Sequence, residues 1–189
     1  MSAANQLPAA MTAGEFLTWN PQDGDRWELI DGTPQAMAPA SPRHGAIQSE
    51  AVRLIGNSLA ERLPTCRVIT EPGIQPKVRA NLNVRVPDLA VTCAEWDPDQ
   101  RLLHNPVVVV EVLSPSNKAD TWANVWSYVT IPSVLEILVL HTAEVRADLL
   151  RREAEGAWPD NPLPLTPGDV VTLESIGFTA PLAAFYRTA

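Results

Sequence analysis

The apolar positions of this chain change period several times along its length. From Ser41-Pro42 onward, Ile47, Ala51, Leu54, Ile55, Leu59 and Leu63 recur at steps of three and four, the spacing of one face of a long amphipathic helix. Pro64, with no N–H to donate, ends it. Upstream, Trp27 to Ala38 has strand-turn-strand character, with Asp31-Gly32 where a hairpin needs positive φ. Downstream, strands are predicted at Cys66 to Glu71 and Gly73 to Arg79, joined across Pro72-Gly73, and again at Asn83 to Cys93. Pro106 to Leu113 is apolar on both alternating faces apart from one glutamate, as a central strand covered on two sides would be. A short helix is predicted over Asp120 to Tyr128, capped by Asp120 and burying Trp122, Val125, Trp126 and Val129, with Ile131-Pro132-Ser133 as its stop. Leu135 to His141 and Val145 to Arg151 read as two more strands around a turn near Thr142 to Glu144. Glu153 to Asp169, carrying Gly156 and four prolines, reads as a Pro-rich surface loop, before a last strand (Val170 to Leu173) and a terminal helix (Pro181 to Tyr186). Helix, strands, helix, strands predicts a mixed sheet with helices packed on it, an α/β or α+β sandwich.

Composition sets bounds on that picture. With 189 residues, 46% hydrophobic and 19% charged, the chain has the apolar material for one globular domain, and no repeat or composition break suggests a second. Residues 11–25 read as an N-terminal lead-in. The longest unbroken apolar stretch, Pro106 to Val110, is far below the roughly 20 residues that span a bilayer, so no membrane association is expected. Met1 to Leu17 has neither a basic start nor a sustained apolar run, which makes a cytoplasmic location the expectation. Cys66 and Cys93 lie far apart in a chain without a secretion signal, an argument against both a disulfide and a zinc knuckle. The net charge of −8, from 22 acidic and 14 basic residues, counts against a protein that grips nucleic acid by bulk charge.

Glu111 carries the most chemical information. A carboxylate inside Val-Val-Val-Val-Glu-Val-Leu is expected to be partly buried, at a cost of several kcal/mol unless it is paired, protonated or metal-bound. A structural ion pair with an Arg or Lys is the plain alternative. A second carboxylate can join it: Pro87 belongs at a strand start, so Asp88 opens the hydrogen-bonded part of its strand. An antiparallel register that sets Asp88 opposite Glu111 also sets Cys93 opposite Pro106, closing over both strands without a gap. Opposed carboxylates repel unless a cation sits between them, and two at adjoining strand ends make a hard oxygen site suited to Mg²⁺ or Mn²⁺.

Five segments in order resemble a known family. Trp27-Glu28-Leu29-Ile30-Asp31-Gly32, Ser41-Pro42-Arg43-His44, Val86-Pro87-Asp88, Val110-Glu111-Val112-Leu113-Ser114-Pro115-Ser116 and Ile131-Pro132-Ser133 look like the PD-(D/E)XK nuclease superfamily. More closely, they resemble its bacterial family named "putative restriction endonuclease". The likeness runs from about Met11 to the C-terminus. It implies a restriction-endonuclease-like mixed sheet flanked by helices, and a divalent-metal-dependent endonuclease acting on nucleic acid, DNA for preference. Asp88, Glu111 and the Val112 carbonyl would then ligate Mg²⁺ or Mn²⁺. The superfamily lysine, which would orient or deprotonate the attacking water, is absent, since Leu113 stands two residues after Glu111. In this family the lysine is often displaced onto the next helix, four residues after an Asp and four before a Tyr. Counting from Asp120 and from Tyr128 reaches Asn124, an amide that can hold a water but cannot take its proton.

Lys77, from a neighbouring strand, and Lys118, from the loop after Glu111, are the candidate substitutes, with Lys77 preferred. Glu28 and His44 fall in the recurring motifs and are candidates to reach metal or substrate; a solvent-facing strand residue and a helix-start residue are their plain readings. His104 and His141 share no ligand spacing with His44, so zinc is not expected. Asp97 and Asp99 read as a solvated turn, and Trp122/Trp126 as core or dimer surface. A homodimer is expected, because two copies would gather the few Lys and Arg on one face. The alternative is a catalytically degenerate nuclease fold that binds nucleic acid or regulates.

Overall fold

The computed structural model describes residues 10–21, 24–95, 97 and 99–189. Residues 1–9, part of the Met1 to Leu17 stretch behind the cytoplasmic expectation, lie outside the described residues. The elements run α1 (Ala13–Thr18), β1 (Trp27–Ile30), β2 (Thr33–Ala36), α2 (Pro42–Arg62), β3 (Arg67–Thr70), β4 (Leu89–Thr92) and β5 (Pro106–Leu113). They continue with α3 (Lys118–Tyr128), β6 (Glu136–His141), β7 (Ala147–Arg151), β8 (Leu163–Leu165), β9 (Val170–Leu173), β10 (Phe178–Pro181) and a closing 3₁₀ turn, Leu182–Tyr186. Strands β3 to β8 form one mixed sheet in chain order, antiparallel throughout except for the parallel pair β5–β6, which α3 connects.

Alternation along β5 divides the molecule into its layers. Val108, Val110 and Val112 enter a core with Ile47, Ala51, Ile55 and Leu59 of α2 and with the β9–β10 hairpin, whereas Val109 and Leu113 enter a core with Val125 and Tyr128 of α3. Glu111 shares the odd-numbered face, so the helix covering it is α3. Ser41 caps α2, its Oγ accepting the His44 N–H at 3.2 Å, and Pro42 occupies the first turn, which points His44 back at the sheet. The β1–β2 turn has Asp31 at φ 49° and Gly32 at φ 84°, the two positive angles of a tight hairpin. Leu29 exchanges backbone hydrogen bonds with Val84, which lays β1 beside the segment leading into β4 and so carries Glu28 toward Asp88.

The structure corrects several sequence expectations. Gly73 to Arg79 is not a strand: only Ile74 bridges Arg85, the Lys77 N–H goes to Thr130 Oγ1 at 2.9 Å, and Arg79 turns left-handed at φ 45°. The register of β4 on β5 holds from Leu89↔Val110 to Val91↔Val108, then shifts at a bulge so that Thr92, not Cys93, faces Pro106. Cys66 and Cys93 are disulfide-bonded, Cα atoms 4.0 Å apart. Arg67 pairs with Thr92 across β3 and β4, so the next position outward brings these cysteines face to face whatever their separation in sequence. Asp120 is inside α3 rather than its cap; a 3₁₀ turn, Pro115–Asn117, starts the helix earlier. Of the predicted stripe Val125 is fully buried but Trp126 is 42% exposed, and Tyr128 is the fully buried aromatic of α3. The Pro-rich loop contains β8, and β10 and a 3₁₀ turn stand in place of the terminal helix. Among the described residues no helix is long and apolar enough to cross a membrane.

Candidate active site

Asp88 is fixed from every side. Its carbonyl accepts the Glu71 N–H at 3.0 Å and the Gln48 amide of α2 at 3.1 Å. Its Oδ2 accepts the Val112 N–H at 2.7 Å, and its Oδ1 lies 2.8 Å from His44 Nε2. The Val112 contact is what the register requires, because Asp88 and Glu111 come next after the Leu89↔Val110 pair. Glu111 is 7% exposed, and its Oε1 accepts the hydroxyl of Tyr128 at 2.7 Å. Glu28 approaches from β1; its Oε2 lies 3.5 Å from the Asn124 amide nitrogen and 3.9 Å from Arg85. Of these, Asp88, His44, Val112, Glu111, Glu28 and Asn124 border one cavity of about 370 Å³, walled by residues 35–41 on one side and by the Ser114 turn and α3 on the other. Arg26 stands at its rim, paired with Glu71.

Burial disfavours the ionised forms of Glu111 and Glu28. Burial pushes the Glu111 carboxyl well above the usual carboxylate range, the Asp88 charge and a hydrogen bond shared with Asp88 add to that, and the Tyr128 hydroxyl opposes it. Burial also raises Glu28, against the Arg85 charge and the Asn124 amide. The Tyr128 phenol is driven well up by burial and by Glu111. A buried Glu111 whose ionised form is disfavoured, with the Asp88 carboxylate beside it, fits a divalent cation, which would reverse that penalty, and the donor set is hard: Asp88, Glu111 and the Val112 peptide, all on the cavity wall. Among the described residues no three His, Cys, Asp or Glu side chains gather as a ready ligand set, so waters would complete the coordination.

The family model "Uma2: Putative restriction endonuclease" matches residues 13–183. The chain belongs to the Uma2 family. A Synechocystis relative, "Uncharacterized protein slr1290", is 29% identical to this Uma2 chain over 175 residues, 92% of this chain and 90% of the relative. A crystal structure of "a putative nuclease belonging to DUF820" from Anabaena variabilis superposes with a TM-score of 0.75 at 18% identity, covering 94% of this chain and 98% of the other, and so shows the shared fold.

Within this Uma2 fold, the residues singled out by sequence part into two groups. Asp88, Glu111, Val112, Glu28, His44 and Asn124 all line the one cavity. Lys77 and Lys118 do not. Lys77 lines a separate cavity of about 230 Å³ with His104 and Ser133, because the segment expected to be a strand is a loop tied to Thr130. Lys118 is an exposed residue at the start of α3. Sequence reasoning missed three site groups. Tyr128 enters the sequence reading only as the mark from which Asn124 is counted, although the same spacing puts the two on one helical face. Arg26 adjoins the Trp27-Glu28 motif. Arg85, 57 residues from the Glu28 it faces, carries no local signal.

Proposed function

We propose that this Uma2 chain is a divalent-metal-dependent hydrolase of phosphodiester bonds in nucleic acid, with DNA the first substrate to test. The carrying observation is that half-buried Asp88 and buried Glu111 meet on the wall of one cavity, each carboxylate held by a separate donor. Mg²⁺ or Mn²⁺ on Asp88, Glu111 and the Val112 carbonyl would acidify a bound water and neutralise charge on the scissile phosphate. His44 and the Val112 N–H fix the plane of the Asp88 carboxylate, and Tyr128 fixes that of Glu111. Asn124 offers an amide to the attacking water, and Glu28 beside it is the group able to take a proton. As the water oxygen bonds to phosphorus, its proton passes to Glu28, the ester P–O bond breaks, and the departing oxygen is protonated from solvent. A homodimer belongs to this proposal, since one copy has few cations for a duplex. Plasmid cleavage in Mg²⁺ or Mn²⁺ tests it: relaxation is expected with the wild type and not with Asp88→Ala, and cleavage that survives the substitution refutes it.

One observation favours a second reading, a degenerate nuclease fold serving as a nucleic-acid-binding or regulatory module: no lysine lines the cavity. Loss of a positioned proton-transfer group costs on the order of 10²- to 10⁴-fold. Cleavage that appears only with Asn124→Lys would support this reading, and robust wild-type cleavage would reject it.

A further inference from the structure

Arg85 holds two of the five buried side-chain nitrogen and oxygen atoms without a hydrogen-bond partner among the described residues, its Nε and one terminal nitrogen. Its side chain is 9% exposed, and a guanidinium does not shed its proton to escape burial. Other arginines with such an atom are otherwise engaged: Arg146 reaches Asp148 at 3.3 Å, and Arg152 donates to three backbone carbonyls of the segment after α3. Among the described residues the Arg85 side chain has only Glu28, at 3.9 Å. A buried cation so loosely compensated is costly, and a cost kept in a protein interior calls for a purpose.

Its position suggests one. The Arg85 backbone is clamped to Ile74, which fixes where the side chain starts. Its charge acts on Glu28 and on Tyr128, the donor to Glu111, and it does not itself line the cavity. Its direct ion-pair partner on the cavity wall is Glu28. Glu28 in turn meets the Asn124 amide at 3.5 Å, at the position where the resemblance drawn from sequence implies a lysine.

We propose that Arg85 is a positioning residue: from behind Glu28 it supplies the positive charge that a lysine at position 124 would bring, holding Glu28 as an anion that accepts the Asn124 amide, so that the two side chains fix one water. The inference rests on the hydrolase reading above for its catalytic consequence, but its structural half can be measured without catalysis. Without Arg85, Glu28 loses the positive charge 3.9 Å behind it, and its carboxyl accepts the Asn124 amide more weakly.

Two readouts decide it. In the metal-free protein, the Asn124 side-chain amide signal in a ¹H–¹⁵N spectrum should shift alike in Arg85→Met and Glu28→Gln and no further in the double variant; a signal that stays put in Arg85→Met overturns the proposal. In the cleavage assay, Arg85→Met should lower kcat about 10²- to 10³-fold with KM within about threefold, and adding Asn124→Lys should regain at least about tenfold. A merely structural arginine would show a lower melting temperature, no rescue by lysine and an unmoved amide. If Arg85→Met does not fold, Arg85→Lys carries the test: kcat within about tenfold of wild type and an unshifted amide support the proposal, and a loss as deep as that of Asp88→Ala overturns it. Wild-type protein that cleaves nothing would sink the hydrolase reading, while the amide signal would still decide the role of Arg85.

Discussion

Glu111 gives the most quantitative handle on the site. Its carboxyl is raised well above the ordinary 4.5 by burial and by Asp88, so over the pH range above 4.5 the folded protein keeps a proton that the unfolded chain has lost. The folded state binds more protons there, and stability must therefore fall as pH rises, until the raised midpoint is passed and the full penalty is in force. One extra proton corresponds to a slope of about −1.4 kcal/mol per pH unit. For a chain of this size that is about 3–6 °C of melting temperature per pH unit. Glu111→Gln removes this slope while leaving an amide oxygen for the Tyr128 hydroxyl, and the weaker contribution of Glu28, of the same sign, remains in both proteins. Urea unfolding in EDTA at several pH values from 5 to 8 measures the difference: the wild type should lose stability with pH more steeply than Glu111→Gln. Mn²⁺ binds the ionised carboxylates, so a hundredfold excess over Kd should stabilise the wild type by about 2.7 kcal/mol and flatten its slope, with little effect on the variant. Parallel pH curves for the two metal-free proteins would refute the burial and repulsion assigned to Glu111.

Other outcomes follow from single features. The Cys66–Cys93 bridge closes a loop of sequence separation 27, and Cys66→Ser with Cys93→Ser should cost about 3 kcal/mol in urea unfolding; an unchanged midpoint, or two titratable thiols in unreduced unfolded protein, would contradict the pairing. Burial pushes the Asp148 carboxyl up, but the His141 hydrogen bond and the His141 and Arg146 charges prevail and hold it below 3.8. Its stabilising contribution is therefore present above that value and disappears as pH falls through the lowered midpoint, so Asp148→Asn should flatten the acid limb of the stability curve below about pH 4; an unchanged acid limb would count against this.

The Asp88–Glu111 pairing is legible from sequence because each residue sits in an unambiguous apolar run, and Pro87 marks where its strand can begin. Helix α2 is legible from period and from Ser41-Pro42. The disulfide is hidden by treating distance in sequence as distance in space; the β3–β4 register cancels it. Strand β8 is hidden by Pro162 and Pro164, which an edge strand tolerates when the missing N–H faces outward. The bulge at Thr92 has no local marker, because Thr92 Oγ1 is drawn to the carbonyls of His104 and Asn105, contacts made only after folding. Lys77 fails as a neighbour of the site for a backbone reason: Thr130 takes up the N–H groups of Lys77 and Val78 that a strand would have paired. The cavity that unites Glu28, His44 and Asn124 depends on three elements far apart in the chain, and only their packing reveals it.

The most direct test of a metal centre at Asp88 and Glu111 is a crystal soaked in Mn²⁺ and measured for anomalous scattering. A single strong peak about 2.0–2.2 Å from oxygens of Asp88, Glu111 and the Val112 carbonyl is the predicted result. A cavity without a peak, or Mn²⁺ bound only elsewhere on the chain, would contradict it.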